Sequence, residues 1–261
     1  MSRSLDSTIV ARLPLGMPTP NCLIVDNRDA VRILTLSRPE KRNALDTLLI
    51  TALLAALDAA DADDGVGAIV VAGAGQLFSA GAVLGEFRDA GPALEAMNNR
   101  RSDLLLDLQL RLGELDKPVI AAVHGAAIGA GAAIALAADM VVLASDAKIG
   151  YPETKHAMVP SLMVATLIRH AGRKAAFELL ASGESIAAER AFALGLVNRL
   201  VAPDTVLAEA VRMATALAAL DRATIAATKR VFNECADLPL ADALRAGRAF
   251  GRRLRADRGN A

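Results

Sequence analysis

The sequence predicts a mixed α/β (α+β) chain, with strands and helices alternating to about residue 202 and helices alone thereafter. Three observations carry this. Short apolar runs such as Ala68–Ala72 (AIVVA) and Pro118–Val123 are too brief for helices and too continuous for half-exposed strands. Between them, apolar residues recur at helical spacing. From Pro203 onward only helical spacing remains, and Arg and Ala become dense. With 261 residues, one large domain can bury ~75% of its unfolded surface.

Element by element, residues 1–20 hold three prolines and scattered charges without an apolar core, so they read as a mobile arm and not a secretory signal. Ala30–Ser37 (AVRILTLS) alternates as a strand does, and Arg38–Asn43 forms a charged turn. From Asp46, the spacing of Leu49, Ala52, Leu53, Ala56 and Ala60 predicts a helix to about Ala62, and Ala68–Ala72 follows as a buried strand. Gly73–Gly85 is a Gly/Ala-rich loop. Leu94, Met97, Leu104, Leu105, Leu108 and Leu112 mark one face of a second helix. Pro118–Val123 is a strand, Gly129–Ala138 a small-residue helix and Met140–Ala144 a strand. Helices are expected over Pro160–Ala171, Ala175–Ala181 and Ala187–Leu194, the last closed by Gly195, and a short strand over Val197–Val201. The expected division is therefore an arm (1–20), a core (21–202) and a helical region (203–261).

Composition excludes several functions. Lys and Arg number 29 against 29 Asp and Glu, and aromatics make up 3%, so there is neither a basic field for phosphates nor a set of rings for bases. Nucleic acid is not an expected partner. Pro118–Ala138 lacks charge for 21 residues, but its Ala, Gly and His124 fit a buried strand and helix better than a membrane span. Two distant cysteines, Cys22 and Cys235, form no disulfide framework, which points to a cytoplasmic location. His124, His156 and His170 lie on separate elements, so no metal site is expected. Gly129-Ala130-Gly131 lacks the third glycine of a dinucleotide loop, and Ser79 is not in a G-x-S-x-G elbow.

What remains is a pair of small-residue turns, Phe78–Ala82 and Gly125–Gly131, each following a buried strand. Two such turns can aim backbone N–H groups at one carbonyl oxygen. In order along the chain come Arg38-Pro39-Glu40-Lys41-Arg42-Asn43-Ala44-Leu45, Phe78-Ser79-Ala80-Gly81-Ala82, Val123-His124-Gly125 with Gly129-Ala130-Gly131 and Ala138-Asp139, Ile149–Glu153 with Pro160, and Ala191 with Gly195-Leu196-Val197. Taken together these segments resemble the crotonase (enoyl-CoA hydratase/isomerase) superfamily.

The resemblance implies a spiral of ββα turns with a C-terminal helical region used for trimerisation, the trimers commonly pairing as hexamers. It implies an acyl-CoA thioester as substrate, with CoA part of that substrate and no separate cofactor. By position it assigns the oxyanion-hole N–H groups to Ala82 and Ala130 and the carboxylate to Glu153. Contacts to CoA fall to Lys41, Arg42, Ala80 and Lys229. One departure matters: a family hydratase carries a second carboxylate three residues beyond Ala130, and here Ala133 stands there. A single carboxylate can shuttle a proton between C2 and C4 of an enoyl thioester, whereas water addition draws on two. The expected activity is enoyl-CoA isomerisation. The alternatives are a hydratase with a weakened or rerouted acid–base pair, with Glu86 or Asp103 as substitutes, and a CoA-binding subunit without turnover.

Overall fold

The computed structural model describes residues 21–82 and 92–259. The expected arm at 1–20 lies outside the described residues. Two strands open the chain, β1 (Leu23–Arg28) and β2 (Val31–Leu36), paired antiparallel across a tight turn. After a 3-10 turn (Pro39–Lys41) comes α1 (Thr47–Ala62), capped by Asp46, whose carboxylate accepts the Leu49 N–H. Then follow β3 (Ala68–Gly73), α2 (Pro92–Glu114), β4 (Val119–Val123), β5 (Ala126–Ile128) and α3 (Ala130–Ala137). The next elements are β6 (Met140–Ala144), β7 (Lys148–Gly150), α4 (Val164–Ser182), β8 (Ile186–Ala187), α5 (Ala188–Ala193) and β9 (Arg199–Val201). Three helices end the chain: α6 (Val206–Ala218), α7 (Arg222–Cys235) and α8 (Leu240–Gly259).

The large sheet runs β1-β2-β3-β4-β6-β9, parallel after its first pair, and a smaller sheet runs β5-β7-β8. The repeat is therefore strand of the large sheet, strand of the small sheet, helix: β4-β5-α3, then β6-β7-α4. This is the ββα spiral. Strands β3 and β4 are buried almost throughout, which explains their unbroken apolar runs. The charge-free stretch from Pro118 divides into β4, β5 and α3. Among the described residues no helix is long and apolar enough to cross a membrane.

Two details position the site. Helix α4 is interrupted at Gly172 (φ 73°, ψ 166°), which separates the two helices expected on either side. Helix α6 packs across β2, β3, β4 and β6, with Val206, Ala210 and Ala214 buried in the main core. Helix α6 is thus part of the packed core, and α7 and α8 follow it.

Candidate active site

The two small-residue turns interlock. Ser79 N–H donates to Ala126 O (3.2 Å), Ile128 N–H to Ser79 O (3.0 Å) and Phe78 N–H to His124 O (3.0 Å). Their approach requires missing side chains. A Cβ on Gly81 (φ +83°) would stand 2.4 Å from Ile128 O, and one on Gly131 would stand 2.7 Å from Ser79 Cβ. Asn43 braces the first turn from beneath: it is fully buried, accepts the Arg38 N–H (2.8 Å) and donates to Ala74 O (2.8 Å) and Leu77 O (2.9 Å). Ala80 N–H donates to Arg42 O (2.9 Å) and Leu45 N–H to Gly81 O (2.8 Å). The result brings Ala82 and Ala130 to one chamber. No acceptor among the described residues takes the N–H of either alanine. Ala130 is also the first residue of α3, where an N–H has no partner within the helix.

Glu153 reaches the same chamber from the 3-10 turn Pro152–His156. Gly129 makes room for it, since a Cβ there would meet Glu153 Oε1 at 2.5 Å. Oε2 is buried without a hydrogen-bond partner. Burial pushes the Glu153 carboxyl above its ordinary range, opposed in part by a backbone N–H and by His156. The chamber is about 380 Å³, walled largely by apolar side chains from Leu105, Ile128 and the segment Met158–Met163. Tyr151, immediately before this turn, is buried, and its phenol is held well above the usual range by desolvation and by nearby Glu153.

Ala80, Ala82, Ala130 and Glu153 thus all line one chamber. Lys41 and Arg42 are exposed on the turn at the edge of this region and do not line the chamber; their link to it is the backbone bond to Ala80. Lys229 does not line the chamber either. Its side chain is buried, and its ammonium donates to Leu112 O (2.9 Å), Lys117 O (3.2 Å) and Asp139 Oδ2 (2.7 Å). With all three donors used, it pins α7 to the core. Ala133 is buried in α3 and brings no polar atom. Asp103, one proposed substitute, is exposed and does not line the chamber; Glu86, the other, lies outside the described residues.

Pocket residues were expected within 88–102 and 154–169 with their facing open; Asn98, Arg101, Ser102 and His156 are among those that line the chamber. For Arg101 a signal existed. Arg101, Leu105, Leu108 and Leu112 follow one helical stripe, so the arginine occupies a position where the pattern turns inward.

The sequence profile of the family described as "Enoyl-CoA hydratase/isomerase" matches residues 26–255. A "Putative enoyl-CoA hydratase" of Thermus thermophilus is 40% identical over 216 residues, covering 82% of this chain and 85% of that protein. The "2,3-dehydroadipyl-CoA hydratase" of Escherichia coli is 36% identical, covering 89% of this chain and 88% of that protein. Among solved structures, an enoyl-CoA hydratase of Mycobacterium smegmatis superposes with a TM-score of 0.83 at 34% identity, covering 88% of this chain and 90% of that one. With its ββα spiral and the paired turns at Ala82 and Ala130, the chain belongs to the enoyl-CoA hydratase/isomerase family.

Proposed function

We propose that this enzyme isomerises 3-enoyl-CoA thioesters to their 2-enoyl counterparts, with Glu153 as the one proton shuttle. The carrying observation is that Glu153 supplies the one carboxylate lining the chamber among the described residues, while Ala133, where the resemblance puts a second carboxylate, is buried in α3 and does not line the chamber. In the first half-reaction a Glu153 oxygen takes a proton from C2, and the electron pair moves onto the thioester oxygen. The N–H groups of Ala82 and Ala130 receive that charge; one such donor is worth about 100- to 1000-fold in rate. In the second half the Glu153 carboxylic acid returns a proton to C4. The double bond then lies between C2 and C3, and no atom is gained or lost.

The raised carboxyl pKa suits this exchange, because the acid and base forms are brought closer in energy near neutral pH. A hydratase reading is favoured by the names of the two relatives above, both of them hydratases. Incubating the protein with a 3-hexenoyl-CoA separates the two. A conjugated product of unchanged mass supports isomerisation. A product one water heavier shows that hydration dominates and overturns the one-carboxylate reading.

A further inference from the structure

The turn that carries Glu153 carries a second titratable side chain three residues on. Pro152–His156 is a 3-10 helix, in which residues i and i+3 lie one above the other. Glu153 and His156 are such a pair, and both line the chamber. Lys155 does not line it; its ammonium is paired with Glu184 Oε1 (2.6 Å). The turn is closed by bonds from Ala157 N–H to Thr154 O (3.2 Å) and from Met158 N–H to Glu153 O (2.9 Å), with Ala157 at a left-handed φ of 58°. An alanine seldom adopts that conformation, so its surroundings impose the closure. The two side chains differ in exposure. Glu153 Oε2 is buried without a hydrogen-bond partner, whereas His156 is exposed. The imidazole is thus part of the chamber wall and open to water as well, and imidazole is the side chain suited to gain and lose a proton near neutral pH. Burial raises the Glu153 carboxyl, against a backbone N–H and His156, which lower it. Burial therefore favours the protonated acid, and that form cannot take a proton from C2.

We propose that His156 is the proton exchanger of Glu153, carrying protons between the chamber carboxyl and bulk water and acting through Glu153, not on the substrate. The proposal rests on the reading of Glu153 as the base that takes the C2 proton. The step moves a proton only. Neutral imidazole accepts the proton of the Glu153 acid at its free ring nitrogen, leaving carboxylate and imidazolium, and the imidazolium releases a proton to water. The reverse sequence returns a solvent proton to the carboxylate. No bond to carbon changes. Each turnover then has two outcomes: the proton taken from C2 is delivered to C4, or it is first replaced from solvent.

A substrate deuterated at C2 reads that choice. 3-Hexenoyl-CoA carrying deuterium at both C2 positions is converted in ordinary water, and the 2-enoyl product is analysed by mass and NMR for deuterium at C4. Deuterium there means that the carboxyl kept what it took; protium means exchange. The wild type is expected to give mainly exchanged product. In His156→Ala the ratio of exchanged to retained product should fall by at least about tenfold, short of the roughly 100- to 10,000-fold that a positioned acid or base contributes, and added imidazole should restore part of it. The ratio is read on product already formed, so a slower variant does not distort it. Loosening of the turn alone would admit water and raise exchange, the opposite sign. Full retention in the wild type overturns the proposal whatever the variant does, and so does an unchanged or higher ratio in His156→Ala. Conversion with exchange that does not depend on His156 removes this inference and keeps the isomerase reading. If no 2-enoyl product forms, deuterium is followed at C2 of the recovered substrate: loss that slows in His156→Ala keeps the exchanger and overturns the isomerase, and the absence of any loss removes both.

Discussion

Glu153 is an acid held above its usual pKa by burial, and that has consequences for both rate and stability. Its ionised form is disfavoured in the folded state, so folding stability falls as pH rises from 4.5, its ordinary value, through the raised folded value. Glu153→Gln should therefore be more stable than wild type at neutral pH, with the difference vanishing below the ordinary value; melting curves across pH check this. The same variant should lose about 100- to 10,000-fold in solvent deuterium uptake at C2. Unchanged exchange would remove Glu153 from the mechanism. Ala133→Glu should create a water-added product while costing about 1–3 kcal/mol of stability, since it enlarges a buried site in α3. Elsewhere, Lys229→Met leaves Asp139 facing a lost partner, and denaturant unfolding should show a loss of about 3 kcal/mol. A fully active, equally stable Lys229→Met would contradict the pinning role. How far single residues could be read beforehand varied. That Glu153, Ala82 and Ala130 come together was legible from their motifs, but the buried ion pair of Lys229 was not, because no local pattern reveals an acceptor 90 residues away at Asp139.

At the scale of elements, the interlocking of the two turns is the critical joint. Gly81→Ala sets a methyl 2.4 Å from Ile128 O at a left-handed backbone position, so the turns must separate. Activity is expected to fall by at least about 100-fold, the worth of one displaced oxyanion donor, while circular dichroism stays near wild type. A Gly81→Ala enzyme with normal kcat would show that the spacing of the turns is not critical. The long elements were legible because their periodicity is long: α1 begins within a residue of its expected start at the Asp46 cap. Four strands were not. Strand β1 is exposed along nearly its whole length and shows no alternation, and β5, β7 and β8 span only two or three residues each. They exist because the spiral returns the chain to a second sheet, a tertiary demand that no window of the sequence carries.

For the whole molecule, α7 and α8 follow the sheet core that α6 completes, and α7 is tied to that core through Lys229. They expose Phe232 (69%), Leu240 (76%) and Leu244 (66%), a set of large apolar side chains that water does not favour. If these helices form the expected trimer contact, a chain ending at Leu220 should retain the sheet core yet elute as a monomer or aggregate, as light scattering after size exclusion would show. A trimeric truncated chain would place the interface elsewhere.

The division of labour between backbone and side chain in the chamber has a further consequence. The groups facing the thioester oxygen at positions 82 and 130 are main-chain N–H groups, which every residue but proline carries. The wall formed by α2 and by Met158–Met163 is built of side chains. Point substitution can therefore rewrite which acyl group is accepted while leaving the means of holding a negative oxygen in place. New specificities lie one codon away from this scaffold, and the chemistry common to them is carried by atoms that the genetic code scarcely varies.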